Sequence, residues 1–322
     1  MHSKAESVAR VRAISRMIRE EEQHLRQRQP WLVHHDAIAT IIFAVSLLVI
    51  GGLSAAFLIG GLPWWAAAVL IALPLSLLHE LEHDLIHNLY FREQRWLQDA
   101  MFGVIFVAKM SLDPWSRRRI HLLHHRVSGQ RDDIEERLIG LGMPMGFWRL
   151  LLTIIPASSV VIIPGVVRGL HRAHTRQPTP RPRWQSLAAG LSQVFVGAPL
   201  VILPAAIFGN PLAITLATLW VLPNIIRHTS IALISSSSHY YGDIPENAID
   251  FQNQILDHWV TWPLQLFCFN FGATHVIHHY VVHQPFYIRQ MVAPRVRQRM
   301  LDAGIRRNDL GTVHRANRYQ QA

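Results

Sequence analysis

Residues 62–87 read LPWWAAAVLIALPLSLLHELEHDLIH. From Leu62 to Leu78 the stretch is apolar; His79, Glu80, Glu82, His83, Asp84 and His87 then arrive together. On a helix, residues three and four apart share a face, so His79, His83 and His87 form one stripe. The reading that decides the fold is a bilayer-crossing helix that runs without a break into a row of imidazoles. Two further clusters repeat the theme, His121-Leu122-Leu123-His124-His125 and His275-Val276-Ile277-His278-His279, and a lone His239 closes the run Ser235 to Ser238. Imidazole suits iron, zinc, copper and nickel, and nine or ten converging rings exceed what one ion can hold. The pattern predicts a pair of metal ions.

Working outward, half of the 322 residues are apolar, mean hydropathy is +0.17 and only 16% are charged, against roughly a quarter in an ordinary soluble domain. Four apolar runs, Asp36 to Gly61, Leu62 to Leu78, Trp184 to Phe208 and Pro211 to Ser235, are near or above the ~20 residues that a spanning helix needs. The expected fold is all-α and integral to the membrane: four transmembrane helices in two hairpins, interfacial helices, and a cytoplasmic histidine-rich cap. Read as a single domain, 1–35 is a cytoplasmic N-terminal helix with Val8, Val11, Ile14 and Ile18 at helical spacing. Residues 36–88 form the first hairpin, 89–183 are cytoplasmic or interfacial, 184–235 form the second hairpin, and 236–322 are cytoplasmic. Within 89–183, the apolar stretch Trp96 to Leu112 holds Asp99 and Lys109 and reads as interfacial. Phe147 to Leu170, interrupted by Pro156 and Pro164, reads as re-entrant or interfacial, and Thr175 to Pro182 as a linker. With four spans, every histidine cluster falls on one side of the membrane.

The net charge of +10 is not gathered into one patch interleaved with aromatics, which argues against nucleic-acid binding. The basic residues lie in 10–28, 92–137, 168–183 and 289–318, and the positive-inside rule places those segments in the cytoplasm. A single cysteine, Cys268, excludes an intrachain disulfide and a thiolate metal site. The first 30 residues are polar and charged, unlike a signal peptide, so the first span is expected to direct insertion.

At His83 to His87, and again at Arg118 to Arg126 around the second cluster, the chain resembles the membrane fatty acid desaturase family, which includes acyl desaturases, hydroxylases and carotenoid ketolases. Tyr90-Phe91-Arg92 and Arg95-Trp96-Leu97 after the first box, Asp132-Asp133 after the second, Ser235 to Gly242 and the third box at His275 to His279 extend the likeness from about Leu77 to His283. The resemblance implies two non-haem irons, dioxygen activation and attack on an unactivated C–H bond of a fatty acyl lipid. Its implied ligands are His83, His87, His121, His124, His125, His239, His275, His278 and His279. His79, one turn before the usual pair, is a further ligand, a proton carrier or a plain helix-end histidine. Acyl desaturases often carry asparagine where this chain has Ser235, whose hydroxyl could hold a water. Asp84, Asp132, Asp133 and Asp243 are expected to accept the free ring N–H of ligating histidines.

Arg227 and His228 fall inside the fourth apolar run, where ionisable groups usually face a cavity or a partner. They read either as the lining of a substrate tunnel that meets an acyl carboxylate, with His228 eleven residues before His239 and able to share its face, or as an interhelical hydrogen bond or a residue snorkelling toward the interface. The distance of Arg227 from His239 argues against its direct placement at the metals. No segment resembles a cytochrome, flavin or ferredoxin domain, so the electron donor is expected to be a separate ferredoxin, rubredoxin or cytochrome. The Arg-rich face, Arg117 to Arg119 included, reads either as its dock or as a surface for anionic lipid headgroups. The expected location is the bacterial inner membrane with the active site on the cytoplasmic face. Desaturation, hydroxylation and decarboxylation of a fatty acid to a 1-alkene all remain open. A rival reading from another class is an intramembrane zinc metalloprotease using His79-Glu80-x-x-His83 with Asp113 as third ligand. A histidine-rich metal transporter would want polar residues through several spans, and the first three show none of consequence.

Overall fold

A computed structural model describes residues 4–130, 133–140, 145–154, 182–240 and 249–315. Asp132, Asp243, the linker 175–181 and most of the stretch Phe147 to Leu170 lie outside the described residues. The chain is mostly helical, and the only sheet among the described residues is a parallel two-residue pair, Gln254–Ile255 with Arg306–Arg307.

Helix α1 (Lys4–Arg28) buries Ile14, Ile18 and Leu25, the inner face expected from their spacing. Helices α2 (His35–Leu58) and α3 (Trp64–Ile86) form the first hairpin, closed by Gly60 in a left-handed conformation (φ 79°) with the Gly61 N–H on the Ala56 carbonyl. Then come α4 (Arg95–Lys109), α5 (Pro114–Val127), α6 (Ile134–Gly140) and α7 (Phe147–Ile154). Helix α4 buries Gln98, Met101, Phe102, Ile105, Phe106 and Lys109, a one-sided stripe that lays it against α3. Helices α8 (Arg183–Gly197) and α9 (Pro199–Ile207) run on as one apolar rod.

Among the described residues, three helices are long and apolar enough to cross a membrane: His35–Leu58, Trp64–Ile86 and the continuous Arg183–Ile207. Their outward apolar side chains stay uncovered, with Leu48 73% and Phe208 89% exposed. So wide an apolar surface is stable against lipid, not water. The fourth run is one continuous helical stretch in three parts. It comprises α10 (Pro211–Leu216), a π turn (Ala217–Val221) and α11 (Leu222–Ser238). Pro223, which has no N–H to donate into the preceding turn, accounts for the wider ladder just before it. Buried Asn224 and Arg227 make α11 an interior helix, packed on α3.

Two apolar clusters hold the layers together. Ile71, Leu75, Leu78, Leu81, Leu85, Phe102 and Ile105 join α3 to α4. Below them, Ile14, Ile18 and Leu25 of α1 meet Val276 and Ile277 of α14 (Phe271–Tyr280, the second helix after the short α12, Ile249–Gln252, and α13, Trp262–Leu266) and Ile288, Val292 and Val296 of α15 (Phe286–Asp302). Four histidine-bearing segments converge between these clusters.

Candidate metal centre

Each segment reaches the centre for a local reason. His83 sits in the last turn of α3 and His87 caps it. Helix α5 starts at Asp113, whose carboxylate accepts from the Ser116 N–H at 2.8 Å, and Pro114 suits its first turn; the helix then presents His121, His124 and His125. Helix α11 stops at Ser238, and His239 follows in extended conformation, bridged to Asn253. Helix α14 carries His275, His278 and His279 and approaches its neighbours closely at Gly272, where a Cβ would stand 2.7 Å from the Leu256 carbonyl oxygen.

The rings gather into two adjoining groups, His83, His87, His121, His125 and His278 in one, and His124, His239, His275 and His279 in the other, with the ligand nitrogens of each group within 4.8 Å of one another. His125 and His279 stand at the seam, ring centroids 4.8 Å apart. In the first group Nε2 of His121 lies 2.9 Å from Nε2 of His87, and Nε2 of His278 is 2.9 Å from that of His125. In the second, Nε2 of His275 is 3.1 Å from that of His239 and 3.0 Å from that of His279.

Several of these rings have their proton committed on the far side. His121 Nδ1 donates to Glu135 (2.7 Å), His124 Nδ1 to Asp133 (2.9 Å), and His239 Nδ1 to the Ser235 carbonyl (2.9 Å), with Glu136 at 3.2 Å. On the neutral rings of His121 and His239, Nε2 is then a bare lone pair turned toward the others. Buried lone pairs that face one another repel, and a cation between them removes the repulsion. His83 adds a second sign: both its ring nitrogens are buried and have no hydrogen-bond partner among the described residues. The donor set fits metal ions on both counts.

Burial also sets the protonation that metal binding needs. It pushes His87 down to about 2 and, with His124 nearby, His239 down to about 4. His121, His125, His275, His278 and His279 are lowered for the same reason. His124 is the exception: burial lowers it, but the carboxylates of Asp133, Glu135 and Glu136 together outweigh that and carry it up to about 10.

The carboxylates behind the rings are only partly those expected. Asp133 serves His124, but Asp84 stands 3.6 Å from His83 Nδ1, beyond hydrogen-bond reach, and instead accepts from Tyr90 Oη (2.8 Å), the Phe286 N–H (2.7 Å) and Arg289 (3.1 Å). Glu135 and Glu136 do what Asp84 was expected to do, and the sequence reading missed them. Ser235 lies between, its Oγ 3.4 Å from Glu136 Oε1.

His79 joins neither group. Its Nε2 lies 3.2 Å from an Arg117 nitrogen and its Nδ1 3.3 Å from an Arg227 nitrogen. Glu80 turns toward Arg289 (3.4 Å) and Asp113 is the helix cap, so the geometry of a His-Glu-x-x-His zinc site is not assembled. Arg117 ion-pairs with buried Glu82 (2.8 Å), which Lys109 also contacts, and Arg118 donates to the carbonyls of Leu85 and Ile86 at the end of α3. Both arginines are engaged within the fold. A cavity of about 170 Å³ reaches from Lys109, Arg117, Arg227 and His228 to His83, His121, His124, Ser235 and His275.

Two adjoining all-imidazole groups at one end of lipid-exposed helices fit a metal site in a membrane protein. The sequence model of the fatty acid desaturase family matches residues 61–311, most of the chain, and the protein belongs to that family. No curated protein sequence matches it.

Proposed function

We propose that the protein is a non-haem di-iron, dioxygen-dependent oxidoreductase that desaturates a fatty acyl lipid. The observation that carries this reading is the division of nine imidazoles, eight of them buried and His125 partly so, into two adjoining groups, with acidic partners behind His121, His124 and His239. His83, His87, His121, His125 and His278 would hold one ion, and His124, His239, His275 and His279 the other. Two irons supply the means to reduce dioxygen and remove hydrogen from an unactivated C–H bond. The net change balances as R–CH2–CH2–R′ + O2 + 2 e⁻ + 2 H⁺ → R–CH=CH–R′ + 2 H2O.

The chain's own residues do the rest. Asp133, Glu135 and Glu136 hold ring protons at Nδ1 and so aim Nε2 inward. The apolar walls of the cavity, among them Ile120, Ile231 and Phe271, exclude water and hold hydrocarbon beside the imidazoles. In this reading, the segment Pro211 to Ser235 is the fourth transmembrane helix, and the histidine-rich region faces the cytoplasm of a bacterial inner membrane. Electrons come from a separate ferredoxin, rubredoxin or cytochrome.

Hydroxylation, and decarboxylation to a 1-alkene, would use the same histidines. Mass spectrometry of lipids from cells that express the protein and are fed fatty acids separates the three. The desaturase reading expects an acid of unchanged length, two hydrogens lighter. A product with one added oxygen, or an alkene one carbon shorter, replaces it with the corresponding alternative.

A further inference from the structure

The cations around the cavity are unevenly matched. Lys109 and Arg117 converge on a single carboxylate, that of Glu82. Arg227, 3% exposed, has no ion-pair partner among the described residues: its Nε donates to Asn224 Oδ1 at 3.3 Å, and a terminal nitrogen lies 3.3 Å from His79 Nδ1. Both nitrogens of His79 face guanidinium groups. A neutral imidazole has one lone pair, so one of those two contacts sets donor against donor and leaves an arginine N–H in want of an acceptor. An unmatched guanidinium in a dry site costs several kcal/mol by the general rule for buried ions, and an anion in the cavity would remove that cost.

The rest of the wall narrows the choice of anion. Next to the cations it is lined by Met110, Leu112, Val196, Ile231 and Phe271, which suit hydrocarbon and not a hydrated inorganic ion. The volume of about 170 Å³ is below the ~300–1,000 Å³ of sites that enclose a drug-sized ligand whole; it suits one end of a chain. His79 lies one helical turn from His83, so an anion held at Arg227 and His79 is a turn away from the first imidazole group.

We propose that this cationic end is a subsite for the carboxylate of a free fatty acid, so that the substrate binds as the unesterified acid with its head, not its tail, beside the histidines. This rests on the reading of the cavity as the place of lipid oxidation. It assigns Arg227 and His79 a binding role that neither helix packing nor metal ligation gives them.

The test is ligand binding by the full chain, purified as it comes from the membrane into lipid nanodiscs, with its iron content measured on the same sample. Dodecanoate, methyl dodecanoate, dodecanol, hexanoate and bicarbonate are compared by displacement of a fluorescent fatty acid. Dodecanoate is expected to bind at least ten-fold tighter than the ester or the alcohol, and tighter than hexanoate; bicarbonate is expected not to displace the probe. Arg227→Gln should remove the preference for acid over ester while dodecanol still binds, and Arg227→Lys should restore part of it. Equal affinity for acid and ester in the unaltered protein overturns the proposal even if the glutamine variant fails to fold. So does displacement by bicarbonate as strong as by dodecanoate, which would mark an inorganic anion site. A sample with two irons and no acid preference defeats the carboxylate subsite alone; a sample that prefers the acid but never holds iron defeats the di-iron reading alone.

Discussion

Asp133, Glu135 and Glu136 each fix an imidazole from behind, and their effect is testable one residue at a time. Outer partners of this kind are worth about 10–100-fold in metal affinity. Asp133→Asn, which keeps one oxygen for the Glu136 N–H but loses the charged oxygen that the Gly129 N–H and His124 share, should weaken iron binding by about that factor in chelator competition. An unchanged affinity would show that the carboxylate only shapes the loop. The histidines were legible in the sequence because helical spacing alone puts them on shared faces. Their acidic partners were not, because sequence neighbours and spatial neighbours part company here. Asp84 is adjacent to His83 yet turns to Arg289, while Glu135 reaches His121 from fourteen positions away. His79 shows the same limit: its place in the stripe was plain, but the arginines that claim it come from α5 and α11.

At the scale of elements, the centre depends on how α5 and α14 are seated. Removing the α5 cap with Asp113→Ala should cost about 0.5–2 kcal/mol, read as a lower melting temperature with reduced iron content; full stability would mean that the cap is dispensable. Gly272→Ala is the sharper case. A Cβ there would meet Gln265 Nε2 at 2.6 Å and the Leu256 carbonyl oxygen at 2.7 Å, so α14 must shift and carry His275, His278 and His279 with it. Overpacking of this kind costs about 1–3 kcal/mol, and iron should be lost more readily than helicity by circular dichroism. Retention of both would contradict the close packing. The inner face of α1, the first hairpin and the one-sided α4 could all be foreseen from periodicity. The fourth apolar run was the harder element: Arg227 and His228 could be read as tunnel lining, but composition shows neither Asn224 beside them in the cavity nor the π turn that precedes them.

For the molecule as a whole, lipid-exposed helices and a layer of imidazoles at one end of them make sense only together. The arginines at 117 and 118 illustrate why overall charge is a poor guide to partners: they brace Glu82 and the end of α3. Charge reversal there should therefore abolish iron retention, and not merely slow turnover with one electron donor; activity preserved with a chemical reductant would restore the docking role. The central claim is that nine imidazoles from four segments hold two irons, and the most direct measurement is the metal-to-protein ratio by elemental mass spectrometry on protein purified from iron-replete membranes. The account predicts two irons per chain, falling below one when His83→Ala and His275→Ala are combined to open both groups. One zinc per chain, or an iron content that the double substitution leaves unchanged, would contradict it.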